Sequence, residues 1–225
     1  MKHAVLGLTI ALCLFAVIPA SAGTIDWVNW TASTNGNPGS ASGTAGSTGV
    51  TYLGEVDNLF HGYPSWGPVG TFNGGTISNA PPSANGIVQL SGGGTIVDTI
   101  TFATPVTNPV MAIWSLGQGG VNARFDFPGT QPFTIQSGGP SNEYGGSSIF
   151  TVGCTVSDAV CGIEGNGTIQ FNGTFSSLTW TNPVYEYWYG FTVGVPQSTA
   201  TPEPASMLLL ISGLGGLGLL RFRRN

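Results

Sequence analysis

The chain has 225 residues, of which only 7% are charged, and its formal net charge at pH 7 is −5. Between residues 23 and 201 it contains a single lysine or arginine, Arg124. This composition argues against nucleic-acid and nucleotide binding, because phosphate groups are held by several basic side chains or by a lysine with a glycine loop. Hydrophobic residues make up 41% and aromatic residues 11%, so the chain has enough apolar surface to form a core.

Residues 1–22 have the pattern of a secretory signal peptide. Lys2 supplies the positive start, a long apolar run follows, and Ala20 and Ala22 mark a small-residue cleavage site. The apolar run is shorter than the ~20 residues of a membrane span. We therefore expect an N-terminal signal helix, passage through the Sec translocon, and cleavage by signal peptidase before Gly23.

The segment that follows is predicted to form an N-terminal strand and a linker, over residues 23–49. Residues 24–30 alternate moderately and bring two tryptophans together. Residues 31–49 contain no large apolar side chain. Such a stretch buries too little apolar surface to compensate its ordering entropy, so we expect a flexible Gly/Ser/Thr loop there.

A β-sandwich domain is predicted over residues 50–196. Glycine, threonine, serine and asparagine are abundant and helical blocks are absent, which favours short strands joined by glycine turns. Apolar alternation in the second half of the chain predicts strands at residues 96–102, 110–116, 123–127, 133–135, 149–152, 168–171, 175–181 and 185–195. We expect an all-β, jelly-roll-like β-sandwich with one core. No fixed repeat period supports a solenoid.

Two cysteines remain after signal removal, Cys154 and Cys161. In an oxidising compartment such a close pair is expected to form a disulfide. A metal site would need more soft ligands, and His61 is the only histidine available. We therefore predict no metal centre and no cofactor. Calcium ligation by Asp26 or by Asp57 stays open, although no Asp-x-Asp-x-Asp loop is present.

Candidate chemistry in the body is limited to carboxyl and aromatic side chains. Glu143, Glu164 and Glu186, with Asp126, could supply a carboxylate pair for glycoside hydrolysis, but their spacing selects no two of them. No catalytic residue is therefore predicted.

One aromatic residue is singled out for ligand binding. Trp188 is expected on the strand face opposite Tyr185, Tyr187 and Tyr189, where it could stack on a sugar ring. The alternative stays open that the aromatic residues on both faces of this strand belong to the core and its edge and bind no ligand.

The C-terminal segment, residues 197–225, combines a proline motif, an apolar run and a basic end. The apolar run at residues 205–220 would be ~24 Å long as a helix, a little short of the ~30 Å hydrocarbon core. Basic residues directly after it hold that end in the cytoplasm. A single C-terminal transmembrane helix is predicted, preceded by Pro202, Glu203 and Pro204 and followed by the basic tail 221–225, which contains Arg221, Arg223 and Arg224.

This tail resembles the PEP-CTERM sorting signal of exopolysaccharide-producing Gram-negative bacteria, which is also catalogued as an ice-binding protein C-terminal domain. The resemblance covers residues 201–225, and a weaker similarity to ectodomains of that family covers residues 95–195. It implies recognition of the motif at 202–204 by exosortase, with the arginines as a stop signal. It also implies a transient inner-membrane anchor, followed by a location at the cell surface or outside the cell.

The expected function is therefore that of an exported, non-catalytic surface or extracellular-matrix protein associated with exopolysaccharide or biofilm. The alternative is a secreted carbohydrate-binding or carbohydrate-active β-sandwich protein. Exosortase, signal peptidase, the Sec translocon and exopolysaccharide are the expected partners, and nucleic acid is not.

Overall fold

A computed structural model describes residues 22–197. The signal helix with Ala20, the sorting motif at 202–204, the transmembrane helix and the arginine tail lie outside the described residues. Ala22 and Gly23 lie at the start of the described part, where Gly23 forms a β-bridge with Ile77. Within this range no helix has the length and apolar character needed to cross a membrane.

The described part is all-β, as predicted, and its sheets are antiparallel apart from one short parallel pair, consistent with a β-sandwich. The strands are β1 Ile25–Trp27, β2 Asn29–Thr34, β3 Gly36–Ala45, β4 Thr48–Val56, β5 Asn58–Phe60, β6 Ile87–Leu90, β7 Asp98–Thr107, β8 Val110–Leu116, β9 Ala123–Asp126, β10 Phe133–Gly138, β11 Ser147–Ser148, β12 Ala159–Gly162, β13 Gly165–Phe171, β14 Thr174–Trp180 and β15 Tyr189–Pro196. One short helix, α1, covers Val69–Phe72, and 3₁₀ turns cover Pro64–Trp66 and Ser83–Asn85.

Two large sheets enclose the main core. The larger has the order β10-β13-β8-β15-β6-β5, with β1 added to β15 and β11 to β13, and the smaller has the order β14-β7-β4-β3-β2. A two-stranded sheet of β9 and β12 adds to the same core. The largest fully buried side chains of this core are aromatic: Trp30, Trp180, Tyr52, Tyr189, Phe125, Phe171 and Phe191. Each contributes about 1.5–3 kcal/mol by burial.

The larger sheet is buried on its outer face as well. A second core cluster joins Val110, Ala112 and Trp114 of β8 to Trp66 and Phe72 from the segment between β5 and β6. Met111 and Ile113 point into the main core instead. All seven residues of β8 are therefore buried, which explains why this strand is apolar on both faces apart from Ser115.

The prediction of a linker over residues 31–49 is wrong. These residues form most of β2 and β3 and the start of β4, and β3 pairs along its length with β4. Small side chains are needed because the strands approach closely: a Cβ at Gly43 would collide with the carbonyl oxygen of Asn29. Ladder hydrogen bonds and burial of Ala41 and Ala45 replace the missing large side chains. The sandwich thus begins at β1 rather than at residue 50.

Two strand predictions in the second half also need correction. The strand expected at 185–195 begins only at Tyr189, and residues 185–188 form a loop. Residues 149–152, predicted as a strand, form only a single bridge from Phe150 to Cys161, and the two-residue strand Ser147–Ser148 lies just before them. The predicted disulfide between Cys154 and Cys161 is present.

Candidate functional site

An open cleft of about 330 Å³ lies at one end of the larger sheet. Strand β8 ends there, and its two neighbours, β13 and β15, begin there, because both run antiparallel to it. The loops at these three strand ends carry most of the lining. The lining residues are Ser115, Gln118, Tyr144, Glu164, Glu186, Tyr187 and Trp188.

An unusual backbone brings two of the polar side chains together. Ser115 and Glu164 both have left-handed backbone conformations, with φ of 55° and 52°. Such conformations cost about 1–3 kcal/mol each in a non-glycine residue and persist only where the surroundings impose them. Here the Ser115 Oγ donates a 2.6 Å hydrogen bond to Oε2 of Glu164.

A buried asparagine supports this conformation. Asn166 is fully buried. Its Oδ1 accepts a 2.8 Å hydrogen bond from the Ser115 N–H, and its Nδ2 donates to the carbonyl oxygens of Glu164 at 3.0 Å and Gly145 at 3.1 Å. The turn at Ser115 also redirects the chain, so Leu116 packs in the main core rather than beside Trp114.

Glu186 is the most perturbed acid of the cleft. Its side chain is only 2% exposed, and its Oε1 has no hydrogen-bond partner among the described residues. Burial raises the pKa of this carboxyl to about 8, a backbone hydrogen bond from Gly117 partly offsets the shift, and the charge of Glu164 adds to it. At neutral pH Glu186 is therefore mainly protonated and can donate a hydrogen bond.

Aromatic rings form the rest of the cleft. The half-buried ring of Trp188 lies 4.7 Å from that of Trp114 and 5.6 Å from that of Tyr144, centroid to centroid. Trp114 is buried, and its Nε1 also lacks a partner in the described structure. Tyr187 is 75% exposed. The cleft thus offers ring faces together with one buried polar atom, Oε1 of Glu186, that has no hydrogen-bond partner in the described part of the chain.

The structure brings together some of the predicted residues and separates others. Glu164 and Glu186 line the same cleft as Trp188. Glu143 lies beside this cleft and accepts a 3.0 Å hydrogen bond from the Ser65 hydroxyl. Asp126 is engaged elsewhere, in a 2.7 Å ion pair with Arg124.

The expected tyrosine stripe does not exist. Tyr187 lines the cleft with Trp188, Tyr189 is buried, and Tyr185 is exposed outside the cleft. The loop at 185–188 breaks the strand alternation on which that expectation depended.

Sequence reasoning missed four contributors: Ser115, Gln118 and Tyr144 of the lining, and the supporting residue Asn166. One signal was available, since Ser115 is the only polar residue in the apolar strand Val110–Leu116. The contributions of Tyr144 and Asn166 depend on contacts across the fold, and no local pattern marks them.

The two aspartates considered for calcium binding accept hydrogen bonds from different side chains. Asp57 accepts a hydrogen bond from Ser91, and Asp26 accepts one from Gln197 at 2.6 Å. Within residues 22–197 no group of three or more histidine, cysteine or acidic side chains could hold a metal ion.

Comparisons of the chain with protein-family models, with curated proteins and with solved structures found no match.

Proposed function

We propose that this chain is an exported, non-catalytic surface or matrix protein, sorted by its C-terminal signal, whose β-sandwich binds exopolysaccharide through the cleft at Trp188. Its strands are proposed to follow a jelly-roll-like arrangement. The proposal joins the export and sorting signals of the sequence to the side chains of the cleft.

The cleft is the observation that carries the binding proposal. Aromatic ring faces provide apolar platforms with a specific stacking geometry, and the pyranose ring of a sugar has apolar C–H faces of similar size. Oε1 of Glu186, which has no partner among the described residues, lies in the same cleft as the rings of Tyr144, Tyr187 and Trp188, and a sugar hydroxyl would supply its missing partner.

The position of the cleft suits a protein tethered through its C-terminus. β1 pairs with β15 so that Ile25 is opposite Pro196, and both ends of the described chain therefore lie at one end of the larger sheet. The cleft lies at the start of β15, about 20 Å away along the strand. A body held at the membrane through residue 197 would present the cleft away from the tether.

Binding is tested with a glycan array and the full-length chain. We expect Trp188→Ala and Tyr187→Ala to abolish or strongly weaken retention, since both residues line the cleft. The matched control is Tyr185→Ala, an exposed tyrosine outside the cleft, which should bind as the unchanged protein does. Tyr187 is exposed enough that its removal leaves the fold intact. Equal binding by the Tyr187 and Tyr185 variants would contradict the proposal.

Sorting is tested by intact mass and cell fractionation in hosts with and without exosortase. The proposal predicts a species that begins near Gly23 and ends near residues 202–204, outside the inner membrane, only where exosortase is present. A product that retains residues 221–225 in both hosts would make the tail a plain membrane anchor.

A second candidate function is glycoside hydrolysis, which is favoured by the presence of Glu164 and Glu186 in one cleft. A protonated and an ionised carboxyl are the pair that such enzymes use. Release of reducing ends from polysaccharides, lost in both Glu164→Gln and Glu186→Gln, would replace the non-catalytic proposal. Binding of polysaccharide without any release of reducing ends would contradict the hydrolase hypothesis.

A further inference from the structure

The aromatic surface continues beyond the cleft. Phe60 lies 5.8 Å from Trp188, and Tyr63 lies 5.3 Å from Phe60, between ring centroids. Together with Tyr144, these rings form what we call the aromatic row: Tyr63, Phe60, Trp188 and Tyr144. Successive rings in the row are separated by 5.3 to 5.8 Å.

Two rings of the row lie outside the core, and both end rings of the row are exposed. Phe60 and Tyr63 belong to neither buried cluster, and Tyr63 and Tyr144 are 41% and 48% exposed. With Phe60 and Trp188 half-buried between these two exposed tyrosines, the row presents aromatic surface of the kind that marks binding sites. The rings of the row come from separate parts of the chain: Phe60 ends β5, Tyr144 follows β10 and Trp188 precedes β15.

The charges around the row disfavour an acidic ligand. Within residues 22–197 the only lysine or arginine is Arg124, and its guanidinium is paired with Asp126. His61 lies between Phe60 and Tyr63, with its Nδ1 3.0 Å from the carbonyl oxygen of Ala84. The carboxyls of Glu143 and Glu164 border the row, so a uronate sugar would meet like charge with no opposing cation.

We infer that the ligand is a neutral polysaccharide chain, bound along several consecutive sugar rings by the aromatic row rather than through a single terminal sugar. This inference rests on the proposed function of the cleft. A single sugar would occupy only the rings at Trp188, whereas a longer segment reaches Phe60 and Tyr63.

The test measures the affinity of the full-length chain for oligosaccharides of defined length by calorimetry in a detergent without sugar groups. The probes are β-1,4-glucose, β-1,4-mannose and β-1,3-glucose oligomers of one to six units, with galacturonate oligomers as the charged comparison. For at least one neutral series we expect the affinity to rise about tenfold or more from one to four units, since added stacking contacts act in one complex.

A variant at the far end of the row distinguishes binding along the whole row from binding at the cleft alone. Tyr63→Ala should weaken the tetramer severalfold and leave the dimer unchanged, and Tyr185→Ala should change neither. Equal affinity at every length, or a preference for galacturonate, would overturn this inference and leave the sugar-binding cleft standing. Failure of every probe to bind would overturn the proposed function and the inference with it.

Discussion

Asp98 and Glu186 are two of the buried acids of this sandwich whose pKa is raised, and their surroundings differ. Asp98 is buried and its Oδ1 accepts hydrogen bonds from the Tyr52 hydroxyl at 2.6 Å and from the Glu55 N–H at 2.9 Å. Glu186 is equally buried, but its Oε1 has no partner in the described part of the chain. Burial raises the pKa of Asp98 to about 6 and that of Glu186 to about 8.

The difference separates a structural acid from one available to a ligand. Asp98 joins β7 to β4 through partners within the protein, so its removal should affect folding. A buried polar atom without a partner costs stability, and its presence beside an aromatic cleft is explained if a ligand completes it. Changes at the two acids should therefore have opposite effects on stability.

The largest effect is expected at the structural acid. Asp98→Ala leaves the buried Glu55 N–H without an acceptor and opens a cavity, and we expect a loss of about 3 kcal/mol in the free energy of unfolding. Urea denaturation at pH 7 measures this loss. A loss below that of an exposed substitution such as Ser47→Ala would show that Asp98 is not structural.

The next effect is a pH dependence that Glu186 produces. Between pH ~4.5 and about 8 the carboxyl keeps its proton in the folded protein and is ionised in the unfolded chain. Unfolding therefore releases a proton, and the free energy of unfolding falls as pH rises, by at most about 1.4 kcal/mol per pH unit. Glu186→Gln should remove this slope. The gain of the variant over the unchanged protein in free energy of unfolding should therefore be about 2 kcal/mol larger at pH 8 than at pH 6.

Asp98 supplies the internal reference for that measurement. Its pKa of about 6 produces the same direction of change, but only between pH ~3.8 and 6. The Gln variant should therefore keep only the Asp98 part of the pH dependence below pH 6 and lose the slope above pH 6. Parallel stability curves for the two proteins between pH 6 and 8 would contradict the assignment of the slope to Glu186.

The smallest effect is expected at Ser115. Ser115→Ala removes the hydroxyl that donates to Glu164, at a cost of about 1 kcal/mol or less in stability. Sugar binding should weaken severalfold, because Glu164 loses the group that orients it. Denaturation and the glycan affinity are measured on the same sample, with Ser47→Ala as the control. A large loss of stability would place Ser115 with Asp98 as a structural residue.

The strand predictions show where local pattern suffices. Val110–Leu116 was predicted with its observed bounds, and Ala123, Phe125 and Phe127 are buried while Arg124 and Asp126 are more exposed, as expected. At residues 31–49 the same reasoning failed, since β3 is held by its ladder with β4 and by close approach at glycines rather than by large apolar side chains. Propensity does not register such pairing.

The candidate site shows the same division. Trp188, Glu164 and Glu186 were named as candidates from their chemistry, but nothing in their spacing joined them. Their meeting depends on the antiparallel order of β8, β13 and β15, which places one strand end and two strand starts at the same edge.

By itself, the amino-acid sequence determined the all-β class, most strand positions in the second half and the cysteine pair, because alternation and short cysteine spacing are local properties of the chain. Only the tertiary structure decided which carboxyl oxygen is buried without a partner among the described residues, which aromatic rings are exposed and that these groups share a cleft. Burial and proximity of these groups arise from strand ends distant in sequence, and no local pattern encodes them.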